Sequence, residues 1–138
     1  MLLGCLLGTG FAAESVPTLQ VRLIRATNGS PETSDPKVRQ LNAQLKADFG
    51  YNCYQQVFFV QMQFTRDEKA VFELPEDFNI VITYMGRKKG QREFFVETAY
   101  RGKKFLGFYA SFPEPAKPVL IRGPGSHECR YIIALSPA

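Results

Sequence analysis

Apolar and polar residues alternate with a period of two along most of this chain, the pattern of half-buried strands. In "TLQVRLIRATN" Leu19, Val21 and Leu23 alternate with Gln20 and Arg22, predicting a first strand. "NGSPETSDP", Asn28 to Pro36, then reads as a turn-rich loop. At Asp35-Pro36 the period changes: Asp is a good N-cap, Pro suits the first turn, and Val38, Leu41, Leu45 and Phe49 recur at helical spacing. Gly50 supplies a stop, so one helix is expected over about residues 36–49, with a single face to bury.

Beyond the helix the strand period returns. "CYQQVFFVQMQF" places Phe58, Val60, Met62 and Phe64 on one face, with its phase confused around Val57 to Phe59, which predicts a bulge or burial on both faces. Further strands follow, with inward sets Ala70, Phe72, Leu74; Phe78, Ile80, Ile82, Tyr84; Phe94, Val96, Thr98, Tyr100; and Leu106, Phe108, Ala110, Phe112. "PEPAKP" interrupts, because prolines lack the ladder donor, before "VLIRG" and a closing "RYIIALS". The expected fold is mainly β: an antiparallel sandwich, immunoglobulin-like or barrel-like, of seven to eight strands with one α-helix after the first strand.

The opening "MLLGCLLGTGFAAES" fits neither period. Its first charge is Glu14, and the apolar run is shorter than the roughly 20 residues a membrane-crossing helix needs. It matches the apolar core of an export signal, with Gly10 and Ala12 three and one residues before a cut preceding Ala13. Residues 1–13 are therefore expected to be an export signal remnant, and 14–138 one domain in the periplasm or outside the cell. The basic leader normally preceding such a core is missing, which suggests a start upstream of Met1. "LLGC" also resembles a lipoprotein box that would lipidate Cys5, but only four residues precede it and the apolar run continues past it.

Composition changes this picture little. At 45% apolar and 22% charged residues the chain is an ordinary globular protein, with twelve Phe and six Tyr for an aromatic core. The net charge of +4 admits an anionic partner. Seven of the 17 basic residues lie in "GRKKGQR" (Arg87, Lys88, Lys89, Arg92) and "RGKK" (Arg101, Lys103, Lys104). Both read as hairpin tips at opposite ends of one strand, so a joined nucleic-acid patch is not expected.

Candidate chemistry is sparse. The one His, His127, sits in "HEC" with no motif supplying further ligands or a nucleophile's partner. The carboxylates at Glu32, Asp35, Asp67, Glu68, Glu73, Glu76, Asp77, Glu93 and Glu97 fall in turns or on outward strand positions, and "GPGS" is no phosphate loop. "NGS" at Asn28 to Ser30 is a formal glycosylation triplet. No catalytic residue, metal ligand or cofactor is expected. With Cys5 removed, Cys53 and Cys129 remain as an even pair, which in an exported protein points to a disulfide.

The export signal, "LQVRLIRATN", the "DP" helix start with Val38, Leu41 and Leu45, and the closing "YIIALS" together resemble a family of small exported bacterial proteins. In that family a similar first strand leads into such a helix and then a β-rich body. The resemblance implies export and the sandwich; the family has no assigned activity, so it implies no site residues. The expected function is a non-enzymatic interaction or assembly module of the cell envelope, meeting an envelope or extracellular protein through an edge strand. The alternatives are a carbohydrate or small-ligand module using exposed tyrosines (Tyr51, Tyr54, Tyr84, Tyr100, Tyr109, Tyr131) and a hydrolase assembled only by the fold.

Overall fold

The computed structural model describes residues 17–29, 33–112, 117–125 and 128–137. Its strands are β1 (Thr18–Thr27), the two-residue β2 (Thr33–Ser34), β3 (Cys53–Gln63), β4 (Lys69–Leu74), β5 (Phe78–Lys88), β6 (Gln91–Tyr100), β7 (Lys103–Phe112), β8 (Val119–Gly125) and β9 (Cys129–Pro137). They form two sheets, β2-β3-β1-β9-β8 and β4-β5-β6-β7. All pairs are antiparallel except the short β2 beside β3. The mainly β architecture and the single helical segment after the first strand stand as the sequence implied; β2, inside the expected loop, did not announce itself.

The two sheets share a core in which alternation decides the contents. Leu19, Val21 and Leu23 of β1, Ile133 and Leu135 of β9 and Ile121 of β8 meet Phe78, Ile80, Ile82, Phe94 and Val96 of the second sheet. Aromatic rings lock this layer: Phe64 and Phe94 meet edge to face at 5.5 Å, and Phe78 of one sheet meets Tyr131 of the other at 5.2 Å.

A second core lies on the opposite face of the first sheet. There Ile24 and Ala26 of β1 and Ile132 and Ala134 of β9 receive Val38, Leu41 and Leu45 from the helical segment. β1 and β9 are thus buried on both faces, which is why "IIAL" in β9 has no alternation. β1 makes the switch beside a register shift between Leu23 and Ile24, where Val57 bulges from β3. The phase confusion around Val57 marks this site.

The helical segment begins as a 3₁₀ turn over Pro36–Leu41 and continues as α1, Asn42–Phe49. The Asp35 carboxylate anchors it twice. One oxygen accepts from the Lys37 N–H at 3.0 Å as an N-cap, and the other accepts from the Gln56 N–H of β3 at 3.1 Å. Gly50 ends α1 in the left-handed conformation with φ 75°. At its C-terminal end the Tyr54 hydroxyl donates to the Leu45 carbonyl and accepts from the Tyr51 N–H, both at 3.0 Å.

Both basic tips are tight hairpins. Lys89-Gly90 and Arg101-Gly102 turn with positive φ at both central residues, the geometry that matches strand twist, and they sit at opposite ends of β6.

The expected Cys53–Cys129 disulfide is not made. The register gives the reason: Thr27 pairs with Cys53 on one side and with Cys129 on the other, so β1 runs between the two cysteines. Two strand spacings of about 4.8 Å hold the Cα atoms roughly 10 Å apart, beyond the ~7 Å a disulfide spans.

Candidate functional site

The expected site residues scatter. Cys5, Ser30, Glu32 and His127 lie outside the described residues. Glu73, Glu76 and Asp77 gather near Arg101 where the β4–β5 and β6–β7 turns meet, but no group of acidic, His or Cys side chains among the described residues is arranged to hold a metal ion. No helix among them is long and apolar enough to cross a membrane.

The tyrosines divide by strand face. Tyr51, Tyr54 and Tyr84 are buried, Tyr100 and Tyr131 are half-buried in ring contacts, and Tyr109 alone is open, at 60% exposure. Tyr109 lies on the outer face of the second sheet with its ring 4.8 Å from that of Phe95.

The feature most suited to recognition lies where the two sheets part. β7 pairs only with β6, and β8 pairs only with β9, so each presents an unpaired edge. Between these edges runs an open groove of about 400 Å³, lined by Leu106 and Phe108 from β7 and by Val119, Leu120, Ile121 and Arg122 from β8. The same alternation that fills the cores builds it. Ile121 points into the inter-sheet core and Leu120 toward the helical layer, while the edge leaves part of each apolar surface uncovered. Leu106, expected to be inward, is 37% exposed for this reason, and its neighbour Phe105, at a register shift in β7, is 44% exposed.

An unpaired edge carries N–H and C=O groups free to extend the ladder, and natural edges are normally protected by charge, proline or a bulge. Here the charge has one sign. β7 and β8 carry Lys103, Lys104 and Arg122 and no acidic residue. The edges offer backbone hydrogen bonds, apolar side-chain pockets and positive flanks, a combination suited to an extended peptide. Strand order, which sequence alone does not reveal, brings β7 and β8 together. Consecutive apolar residues at Phe105-Leu106 and Val119-Leu120-Ile121 were the available signal, since a half-covered edge need not alternate.

No protein-family model matches this chain, and neither a curated protein nor a solved structure matches it.

Proposed function

We propose that this protein is an exported, non-enzymatic interaction module of the bacterial cell envelope that binds a partner protein by accepting an extended segment in the β7–β8 seam. The observation that carries this reading is the pair of unpaired edges facing each other across an apolar groove, on strands whose charged residues are all basic. The occupant is a strand of a partner protein with alternating apolar side chains and acidic flanks. Main-chain ladder bonds supply affinity, and the groove selects alternate side chains. Support for export comes from the apolar opening at Met1 to Phe11, and the diffuse family resemblance belongs to the same reading.

The architecture is read as a β-sandwich of the barrel-like kind. Going round β3-β1-β9-β8 and then β7-β6-β5-β4, every strand except β1, which sits between β3 and β9, lies beside a chain neighbour, much as in a flattened up-and-down barrel open at two seams. The β3–β4 seam and the β7–β8 seam are those openings, and the second carries the apolar lining.

The test uses a synthetic ten-residue peptide of alternating Val and Thr flanked by Glu, with binding followed by fluorescence anisotropy. Leu106→Asp and Val119→Asp should each weaken binding more than tenfold, while Val71→Asp on the outer face of the second sheet should leave it unchanged. Equal binding by all three variants would overturn the proposal. A saccharide-binding alternative is favoured by one observation, the open Tyr109 beside Phe95, and Tyr109→Ala separates the two readings.

A further inference from the structure

Two arginines on one face of the β8–β9 hairpin have no acidic partner among the described residues, and the structure gives them a cleft. Arg122 pairs across the ladder with Ile132, and Arg130 lies two residues from Ile132 along β9, so the two are diagonal neighbours on the face covered by the helical layer. Diagonal positions in a sheet lie about 7–8 Å apart, within joint reach of one small ligand. Among the described residues neither guanidinium forms an ion pair. Where such a pair does form, as between Lys88 and Glu93 at 3.1 Å, it is short.

The pair is held in place instead by neutral groups. Arg130 donates from Nε to the Tyr51 hydroxyl at 3.2 Å and from Nη1 to the Gly123 carbonyl at 2.9 Å. Arg122 lies over the Phe49 ring at 5.0 Å and reaches the Asp48 carbonyl at 3.5 Å, the limit of a hydrogen bond. That last contact is a helix C-terminal cap, which accounts for one donor of Arg122 and for nothing at Arg130. A guanidinium carries five N–H donors in a planar fork, so each retains several.

These side chains border an open cleft of about 620 Å³, within the roughly 300–1,000 Å³ usual for small-ligand sites. Phe49, Gly50 and Tyr51 form one side, and Arg122, Gly125 and Arg130 the other. Gly125 lets β8 and β9 approach closely at the edge of the cleft: a Cβ there would stand 2.4 Å from the Arg130 Cα.

We propose that this cleft binds an oxyanion, the carboxylate or phosphate group of a small molecule, held between the Arg122 and Arg130 guanidiniums. Its carbon skeleton lies against Phe49 and Gly50. Two like charges on neighbouring strand positions repel each other, and one anion between them removes that repulsion while using the remaining planar donors in pairs. The site is separate from the strand-binding groove in its ligand chemistry and in most of its residues, sharing Arg122 alone.

The experiment is thermal unfolding of the full chain with increasing inorganic phosphate or increasing succinate, ionic strength being held constant with sodium chloride. A bound anion raises Tm with concentration by mass action, and chloride alone does not. Saturation by phosphate only assigns a phosphoryl ligand, by succinate only a carboxylate ligand, and by both a general oxyanion site. Arg122→Gln should weaken the response about tenfold and Arg130→Gln at least as much. Arg87→Gln, at a distant hairpin tip, should leave it unchanged. Because Arg130 also braces Gly123 and Tyr51, Arg122→Gln decides the matter if Arg130→Gln fails to fold. No saturable response to either anion, or an Arg122→Gln response equal to that of the unaltered chain, overturns the proposal.

Discussion

Tyr54 ties the helical layer to the first sheet through one oxygen atom, and Tyr54→Phe removes that atom alone. The ring is buried at 2% exposure and packs with Ile24, Ala26 and Leu45, so the substitution leaves the packing volume essentially intact and opens no cavity. It deletes the donation to the Leu45 carbonyl and takes an acceptor from the Tyr51 N–H. The Leu45 carbonyl lies within α1, where helix geometry offers it a second donor, so the larger cost falls on the buried Tyr51 N–H. Losing a partner at a buried backbone donor costs about 1–3 kcal/mol. We expect about 2 kcal/mol, which in a domain of this size lowers Tm by roughly 8 °C. Urea unfolding followed by far-ultraviolet circular dichroism is suitable, the chain having no Trp. The midpoint should fall with an unchanged slope, because the surface exposed on unfolding is the same. A variant within about 0.3 kcal/mol of the unaltered chain would refute the role given to this hydroxyl.

Further predictions follow from neighbouring features. Asp35→Ala removes both the N-cap and the link to the Gln56 N–H, and should cost about 2 kcal/mol, against about 1 kcal/mol for an isolated cap, by the same urea assay. Gly125→Ala drives a Cβ into the Arg130 backbone, where nothing flexible can yield. It should destabilise by about 1–3 kcal/mol and shift the Arg130 amide resonance. Burial pushes the Tyr54 and Tyr131 hydroxyls up, with the Glu76 charge adding to the effect at Tyr131. In the folded chain they hold their protons longer than when unfolded. That stability is complete below the ordinary tyrosine value near pH 10 and is lost as pH rises above it, through the raised values the folded chain imposes. Chemical unfolding from pH 8 to 11 should show the loss, and Tyr54→Phe should lessen it. Cys53 and Cys129 should be alkylated in unfolded protein without prior reduction, and reductant should leave Tm unchanged.

Periodicity carried much of the fold because burial on one side of a strand writes itself into every second residue. The inward sets of β4, β5 and β6, the Asp35 cap, the Gly50 stop and the bulge beside Val57 were all legible for this reason. Strand order was not. The wrong disulfide shows the consequence: Cys53 and Cys129 begin two strands that share a neighbour, and nothing in their spacing reveals that Thr27 lies between them. The second core was only half visible. The helix showed a face to bury, but its receiving surface, Ile24 and Ala26 with Ile132 and Ala134, was disguised as broken alternation. The candidate sites were hidden in the same way. Leu106 reads as a core residue until β7 is known to be an edge, and Arg122 and Arg130 become a pair only through the β8–β9 register.

The most direct test of strand capture is amide hydrogen exchange, residue by residue, with and without saturating acidic-flanked peptide. New protection should appear at alternate amides of β7 and β8, on the sides these strands leave unpaired, with β5 and β1 unchanged. Binding without protection at either edge, or with protection at the β3 and β4 edges instead, would contradict the account.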